Sequence, residues 1–540
     1  MQLVSLMWHP GLLAVAAGAA AAAAAAVVYF LAAWALSTRR PKDFPPGPPP
    51  VLIMGNALQL APEKGFLRFR EWEKTYGSIM GFKVGANNYV VLSSAEHVRE
   101  LFEKRGAVYS DRQQPYITSK LVNPENLLFM NNDHRIKKAR TALRHLFGPA
   151  DLRRVLTVQE AQAALLMRNF LDDPENFQSH LRVWALATPR SIVGGQGIAE
   201  SGAGSTEYYF EAQETWLKFL TPARAPPVDI FPAMKYIPTF LASWKREAAS
   251  LHSATMKIMY HMLDGAKIQH AKISQGAKGA ENRSLMTQLL GEESKDLEFR
   301  DHELASLGSG AVDAAVDTVF ATVRNLILVM GAYPEVQRRV QAEVDSIWQS
   351  GAPGPDDLPK ATYLRACLTE VMRWRPVAPL GIPRVLARDD SYRGFELPRG
   401  TSLLLNTWSI HMDEEWYDHP EEFRPERYLE NEWGVRPSMR DAAERQKRRP
   451  TYAFGAGRRM CPGSDYAGNQ IMVTVAKLTW EFDIVAKGRL DTSIETGFHD
   501  GLVLETAPFE VDIVPRSEDR KRAILDDSAR AEKVVAAWTS

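Results

Sequence analysis

Cysteine is almost missing from this chain of 540 residues, which has only Cys367 and Cys461. Two cysteines exclude a disulfide framework and a four-cysteine zinc site, and they suit a reducing compartment. An excess of charge is missing too, because 65 Lys and Arg balance 65 Asp and Glu. Nothing global therefore argues for nucleic acid as a partner. No segment repeats at a fixed period, which excludes solenoids and propellers. Length alone would allow domains of about 150 residues each, yet no second linker interrupts the chain between about Pro50 and Pro515. The hydrophobic share of 45% and the charged share of 24% are those of an ordinary globular protein.

Charge is absent altogether from Gly11 to Leu36, 26 residues rich in alanine. About 20 apolar residues span a bilayer core, so the run predicts a transmembrane anchor. A cleaved signal peptide would carry a positive stretch before an apolar region of about 7–15 residues. Here Arg39, Arg40 and Lys42 follow the run and none precedes it. The positive-inside rule then puts the body on the cytosolic side. The stretch "FPPGPPP", Phe44 to Pro50, has fixed φ angles and few donors, so it reads as a stiff spacer after the anchor. At the other end, "EDRKRAILDDSARAEKVVAAW" (Glu518–Trp538) reads as an exposed, charge-laced helix. The divisions expected are 1–43 for the anchor, 44–515 for a single body and 516–540 for the tail.

Within the body, "GFKVGANNYVVLSS" (Gly81–Ser94) alternates as a hairpin. Most other segments have helical period, such as "YPEVQRRVQAEVDSIWQ" (Tyr333–Gln349), with Pro334 near its start. The expectation is a mainly α fold with a minor sheet.

One of the two cysteines lies in "TYAFGAGRRMCPG", Thr451 to Gly463. Clustered glycines permit close backbone approach or sharp turns, and arginines beside a cysteine favour thiolate. A metal or an anion is expected there. "GAGRRM" lacks the third glycine of a dinucleotide loop. Upstream, Glu370 and Arg373 of "EVMR" share a helix face. "PVAPLGIPRV" then carries Arg384 on an extended segment, and "FRPERYL" carries Arg427.

In this order, "EVMR", "PERY" and "FGAGRRMCPG" resemble the signature series of the cytochrome P450 superfamily of haem-thiolate monooxygenases, over about residues 44 to 515. The anchor and proline stretch match its membrane-bound microsomal branch, and the texture is most like fungal members of secondary metabolism. The resemblance implies haem b with Cys461 as the axial thiolate ligand of iron, a ligand that favours O–O cleavage. It implies that Gly455, Gly457 and Gly463 let the backbone approach the macrocycle, and that Phe454 shields the sulfur. Arg459 and Arg384 become candidate propionate contacts. The family usually has Trp-x-x-x-Arg where this chain has His134 and Lys138, which makes Lys138 a further candidate. Glu370, Arg373 and Arg427 become a buried structural ion network, and Cys367 a small buried core residue.

Counting back from "YPEV", the stretch "AAVDTV" (Ala314–Val319) matches the oxygen-activating turn of the family's central helix. Asp317 and Thr318 are then the proton-relay pair, and Val319 stands where a second threonine is common. The implied reaction inserts one oxygen atom of O2 into an apolar organic molecule. Its electrons come from NADPH through an NADPH-cytochrome P450 reductase, with cytochrome b5 as a possible second donor. The expected location is the endoplasmic reticulum membrane, single-pass, in contact with lipid. Segments 108–130, 204–241, 377–383 and 497–503 would line the pocket, and no charge cluster in them demands an ionic ligand, so a hydrophobic small molecule fits. Two other readings remain open: a haem-thiolate isomerase or dehydratase that needs no reductase, and a haem-binding sensor without catalysis.

Overall fold

A computed structural model of the protein describes residues 10–539 except 62, 200, 222–223, 277–281, 350 and 500. Its framework is helical, with one five-stranded sheet and small two-stranded pairings. The central helix, Asp301–Ala332, is buried along most of its length. It is apolar and 32 residues long, and it packs on Phe177–Gly194, Ser243–Ser274, Ser464–Glu481 and Thr362–Trp374. Glu303 accepts from the Arg300 backbone N–H at 3.0 Å and so closes the helix start. Pro334 opens the next helix, Pro334–Ile347, since its ring cannot continue the first.

The hairpin expected around Gly81–Ser94 is present as Ile79–Val84 paired with Asn87–Leu92. Gly85, at φ 54°, turns the two-residue connection. Ser402–Leu405 joins Asn87–Leu92 in parallel, Arg384–Val385 pairs antiparallel with Ser402–Leu405, and Asp111–Arg112 closes the far edge. In that last pairing Arg112 stands opposite Arg384. Two guanidinium side chains from sequence positions far apart are thus made cross-strand neighbours by register alone.

The apolar N-terminal run forms a helix, Pro10–Ser37. Its C-terminal end is built into the body: Trp34 Nε1 donates to the Ile53 carbonyl at 3.1 Å, and Lys83 Nζ donates to the Ser37 carbonyl at 2.7 Å. Asp301–Ala332 is long and apolar enough to cross a membrane by length and composition, but it is mostly buried as a core helix. Residues 1–9 lie outside the described residues.

The proline stretch is no free spacer. Phe44 is buried, Pro46 accepts from the Gly81 backbone N–H at 2.8 Å, and Asn56 donates to Pro48 and Pro49. Its prolines lack donors, so the stretch is held here through its carbonyls, and the body supplies the donors.

The tail departs from expectation. Glu518–Thr539 is one helix docked on Pro149–Asp172, with Ile524, Ala531 and Trp538 buried. These three recur at spacings of seven along the charged sequence, which keeps them on one helix face.

Candidate active site

Cys461 sits where the arginine-rich turn meets the helix Ser464–Glu481. The Cys461 N–H donates to the Phe454 carbonyl at 2.9 Å, and Gly455 N–H to Tyr452 at 2.9 Å. Gly455 and Gly457 adopt φ of 72° and 60°, which L side chains rarely take. The reason Gly457 must be glycine is the Arg99–Lys104 turn: a Cβ there would collide with the Phe102 carbonyl. The close approach at Gly457 is therefore protein on protein, and it fixes the loop against that turn. Phe454 is half-buried beside it.

Cys461 is exposed as a residue, yet its thiol behaves as an enclosed group. Burial pushes its thiol up, against the opposing pull of the Gly463 N–H and of Arg140. Left alone it would rest as a thiol, and a bound metal would deprotonate it. Cys367, in contrast, is fully buried in the helix Thr362–Trp374, and burial raises it well above the ordinary range.

Four arginines gather nearby. Arg384 is 3% exposed, lies 4.0 Å over the Phe102 ring and donates to the Ala456 carbonyl. Arg459 Nε donates to the Ser110 carbonyl at 2.8 Å, and its Nη2 to Met130. Arg112 donates to Pro383 at 2.9 Å, and Arg140 to Met460 at 3.3 Å. Burial, then Arg459 and Arg140, pushes Arg384 down to about 9. Burial, then Arg140, takes Arg459 to about 10. Arg112 is driven well below its ordinary value by burial and then by the other three. Arg384 Nη1 and Arg112 Nε are buried without a protein partner.

Such a set of mutually repelling cations with spare donors is costly unless an anion completes it. A thiolate-capable cysteine beside a receptor for two carboxylates fits haem with its two propionates. Sequence reasoning found Arg384 and Arg459 but missed Arg112 and Arg140. For Arg112 only sheet register carries the signal. Arg140 was within reach, since it lies in the basic stretch that suggested Lys138. Residues two apart on a helix do not share a face, and Lys138 is turned the other way: its Nζ pairs with Glu303 at 2.9 Å and sits over the Phe299 ring. His134 is exposed.

The carboxylate of Glu370 receives Arg373 at 2.7 and 2.8 Å, Arg427 at 3.0 Å and the Arg424 N–H at 2.8 Å. All three ionic side chains are at most 2% exposed. Arg373 also donates to the carbonyls of His411 and Pro420.

On the central helix Thr318 is exposed and its hydroxyl donates back to Ala314 at 2.8 Å. Asp317 is turned aside and buried, receiving Gln213 Nε2 at 2.7 Å. Burial raises its carboxyl, with Gln213 and the Arg182 charge opposing. The two residues are adjacent but face different surroundings. Of the expected lining segments, residues 222–223 and Asp500 lie outside the described residues. The Leu504 N–H donates to the Val377 carbonyl at 2.8 Å and ties the segment 377–383 to the residue that follows 497–503.

The chain is similar along nearly all its length to known proteins. The monooxygenase grgG of Penicillium sp. is 34% identical, with 93% of this chain and 94% of that one covered. The monooxygenase atE of Aspergillus terreus is 30% identical, with 93% of each covered. Both carry the name cytochrome P450 monooxygenase. A zebra fish cytochrome P450 solved with progesterone superposes with a TM-score of 0.68 at 25% identity, over 84% of this chain and 99% of that one. The family model for cytochrome P450 matches residues 45–513. With its cysteine, its arginine cluster and its Glu370 network in these places, the chain belongs to the cytochrome P450 family of haem-thiolate monooxygenases.

Proposed function

We propose that this enzyme inserts one atom of O2 into a small apolar organic substrate, using electrons that reach it from NADPH through a separate reductase. Alongside its fungal relatives, we place it in secondary-metabolite biosynthesis. The observation that carries the reading is Thr318, an exposed hydroxyl residue on a mostly buried helix, with the raised carboxyl of Asp317 behind it.

Bound at Cys461, haem supplies the iron chemistry of oxygen activation. The protein's own groups do the rest. Arg112, Arg140, Arg384 and Arg459 would take its carboxylates, and the Gly463 N–H supports the Cys461 sulfur. Thr318 Oγ1 donates to Ala314, and its lone pairs remain free to accept a hydrogen bond from the cleft side. Asp317 can hold a proton at its carboxyl, and the Gln213 amide N–H supports the carboxylate left when that proton departs. Ala314 and Ala315 keep side-chain bulk away from that face.

The reading extends to a membrane. The uncharged helix Pro10–Ser37, followed by Arg39, Arg40 and Lys42, supports an anchor with the body on the cytosolic face of the endoplasmic reticulum. Leu52, Leu58, Tyr236, Phe240 and Leu241 are exposed, and Phe231, five residues before Tyr236, stacks on Trp34 of that helix at 6.2 Å. An apolar surface next to the helix end suits lipid.

Thr318→Ala tests the reaction. The reduced carbon monoxide spectrum should persist, while NADPH oxidation with reductase yields hydrogen peroxide in place of product. General acid help of this kind is worth about 10²–10⁴-fold. Full coupling in the variant would remove Thr318 from the relay. A normal spectrum with no NADPH consumption by the wild type would favour an isomerase or dehydratase.

A further inference from the structure

Between Leu304 and Gly331 every residue of the central helix is buried except Gly310, Ala311, Asp313, Ala314, Ala315 and Thr318. At 3.6 residues per turn, positions 310, 311, 314, 315 and 318 share a face, and 313 borders it. The six make one accessible patch on a core helix. Asp313 is its only ionisable residue, and Thr318 its only other polar side chain.

Asp313 is held but not saturated. Tyr209 Oη donates to its Oδ1 at 2.9 Å, and Ser309 Oγ approaches Oδ2 at 3.4 Å. Tyr209 and Ser309 are themselves 3% and 5% exposed, whereas Asp313 between them is partly exposed. A carboxylate has room for about four hydrogen bonds, and the two from protein leave capacity open. Among the described residues no cation pairs with it. Burial, and then Asp317 one turn on, raises its carboxyl to about 7, against Tyr209 and Ser309. Asp317 differs in being buried behind Gln213.

We propose that Asp313, fixed in place by Tyr209, is the polar anchor of the substrate, and that the substrate is a small apolar molecule bearing a hydroxyl group, an alcohol or a phenol, whose O–H donates to the Asp313 carboxyl. A neutral hydroxyl suits the site better than an ammonium group. Burial already disfavours charge on Asp313, and its existing partner Tyr209 is itself a hydroxyl. The distance from Asp313 to Thr318 along the helix is five residues, about 7.5 Å of rise. A molecule of about one ring in length therefore reaches from the anchor to the level of Thr318. This inference rests on the proposed monooxygenase function, in which the Thr318 face of the central helix meets the substrate and so forms a wall of its chamber.

The test is a titration of the haem-loaded, full-length protein with 4-ethylphenol, 4-ethylanisole and ethylbenzene, read by the shift of the Soret band. One hydrogen bond should favour the phenol over its methyl ether by about tenfold. Asp313→Leu should bring the ratio to about one and leave ethylbenzene affinity within about twofold, because only the polar contact is lost. Asp313→Asn keeps an acceptor and should retain most of the preference. Should the Leu variant fail to take up haem, Tyr209→Phe carries the test, since freeing the Asp313 side chain should lower the ratio. Equal affinity for phenol and ether in the wild type, or a ratio unchanged in Asp313→Leu, overturns the anchor while sparing the chamber. Failure of ethylbenzene itself to shift the band overturns the chamber and the anchor with it.

Discussion

The backbone N–H of Tyr452 donates to His411 Nε2 at 2.9 Å, and this contact joins the cysteine loop to the ionic core. The carbonyl of the same histidine accepts from Arg373 at 2.9 Å, and Arg373 is clamped by Glu370. Burial, then Arg373 and Arg448, holds His411 well below its ordinary pKa. It stays neutral, so Nε2 is available as an acceptor. The Glu370 network therefore acts on Cys461 through one imidazole and one turn of chain.

Replacing that imidazole tests the link. His411→Leu leaves the Tyr452 N–H buried without a partner, at a cost of about 1–3 kcal/mol. We expect a lower melting temperature together with a lower haem-to-protein ratio after purification. A variant that melts early but keeps full haem content would show that the histidine supports the core alone.

The two cysteines separate in the same kind of experiment. Cys461→Ala should abolish stable haem binding or its thiolate spectrum. Cys367→Ala, within the Thr362–Trp374 helix, should leave the spectrum intact and lower stability modestly, by about 1 kcal/mol for the lost packing. Ultraviolet–visible spectra of the carbon monoxide complex and a denaturant melt give both readouts.

The arginine cluster predicts opposite effects on two states of the protein. Arg384 repels Arg459 and Arg140 and keeps an unpartnered Nη1. Arg384→Met should therefore raise the stability of the haem-free protein while speeding haem loss from the loaded one. Melting of the apoprotein and transfer of haem to an apomyoglobin acceptor measure the two arms. Slower haem loss in the variant would exclude Arg384 as a carboxylate contact.

Local pattern made some of this site legible and hid the rest. The cysteine loop, Glu370 with Arg373, and the hairpin are contiguous in sequence, so spacing alone placed them. Arg112 needed sheet register: it meets Arg384 only because Asp111–Arg112 pairs with Arg384–Val385. Lys138 and Arg140 are separated by helical phase, which a motif count does not resolve. Gly457 was legible as a close-approach glycine, but its neighbour, the Phe102 carbonyl, comes from a remote turn. The tail misled because its charges outnumber Ile524, Ala531 and Trp538, the residues that dock it.

That docked tail leads to a prediction about pH. Glu481 ends the helix that begins just after Cys461, is fully buried, and has neither carboxylate oxygen in a hydrogen bond with protein. Burial lifts it from 4.5 to about 8, with Lys477 opposing and Asp527 of the tail adding to the rise. Lys477 itself is fully buried and bound to Asp527 at 2.6 Å. Between those two pKa values the folded chain holds a proton that the unfolded chain has released. Glu481 therefore contributes stability that is fully present below about 4.5 and is lost as pH rises through about 8. Glu481→Gln cannot lose that proton. Its stability advantage over the wild type should widen between pH 6 and pH 9 by about 2–3 kcal/mol, at about 1.4 kcal/mol per tenfold change in proton affinity. Denaturant midpoints at the two pH values measure it. Deleting residues 518–540 would let water reach Glu481 and should erase most of the widening; an undiminished pH effect in the truncated protein would show that the tail does not seal this carboxyl.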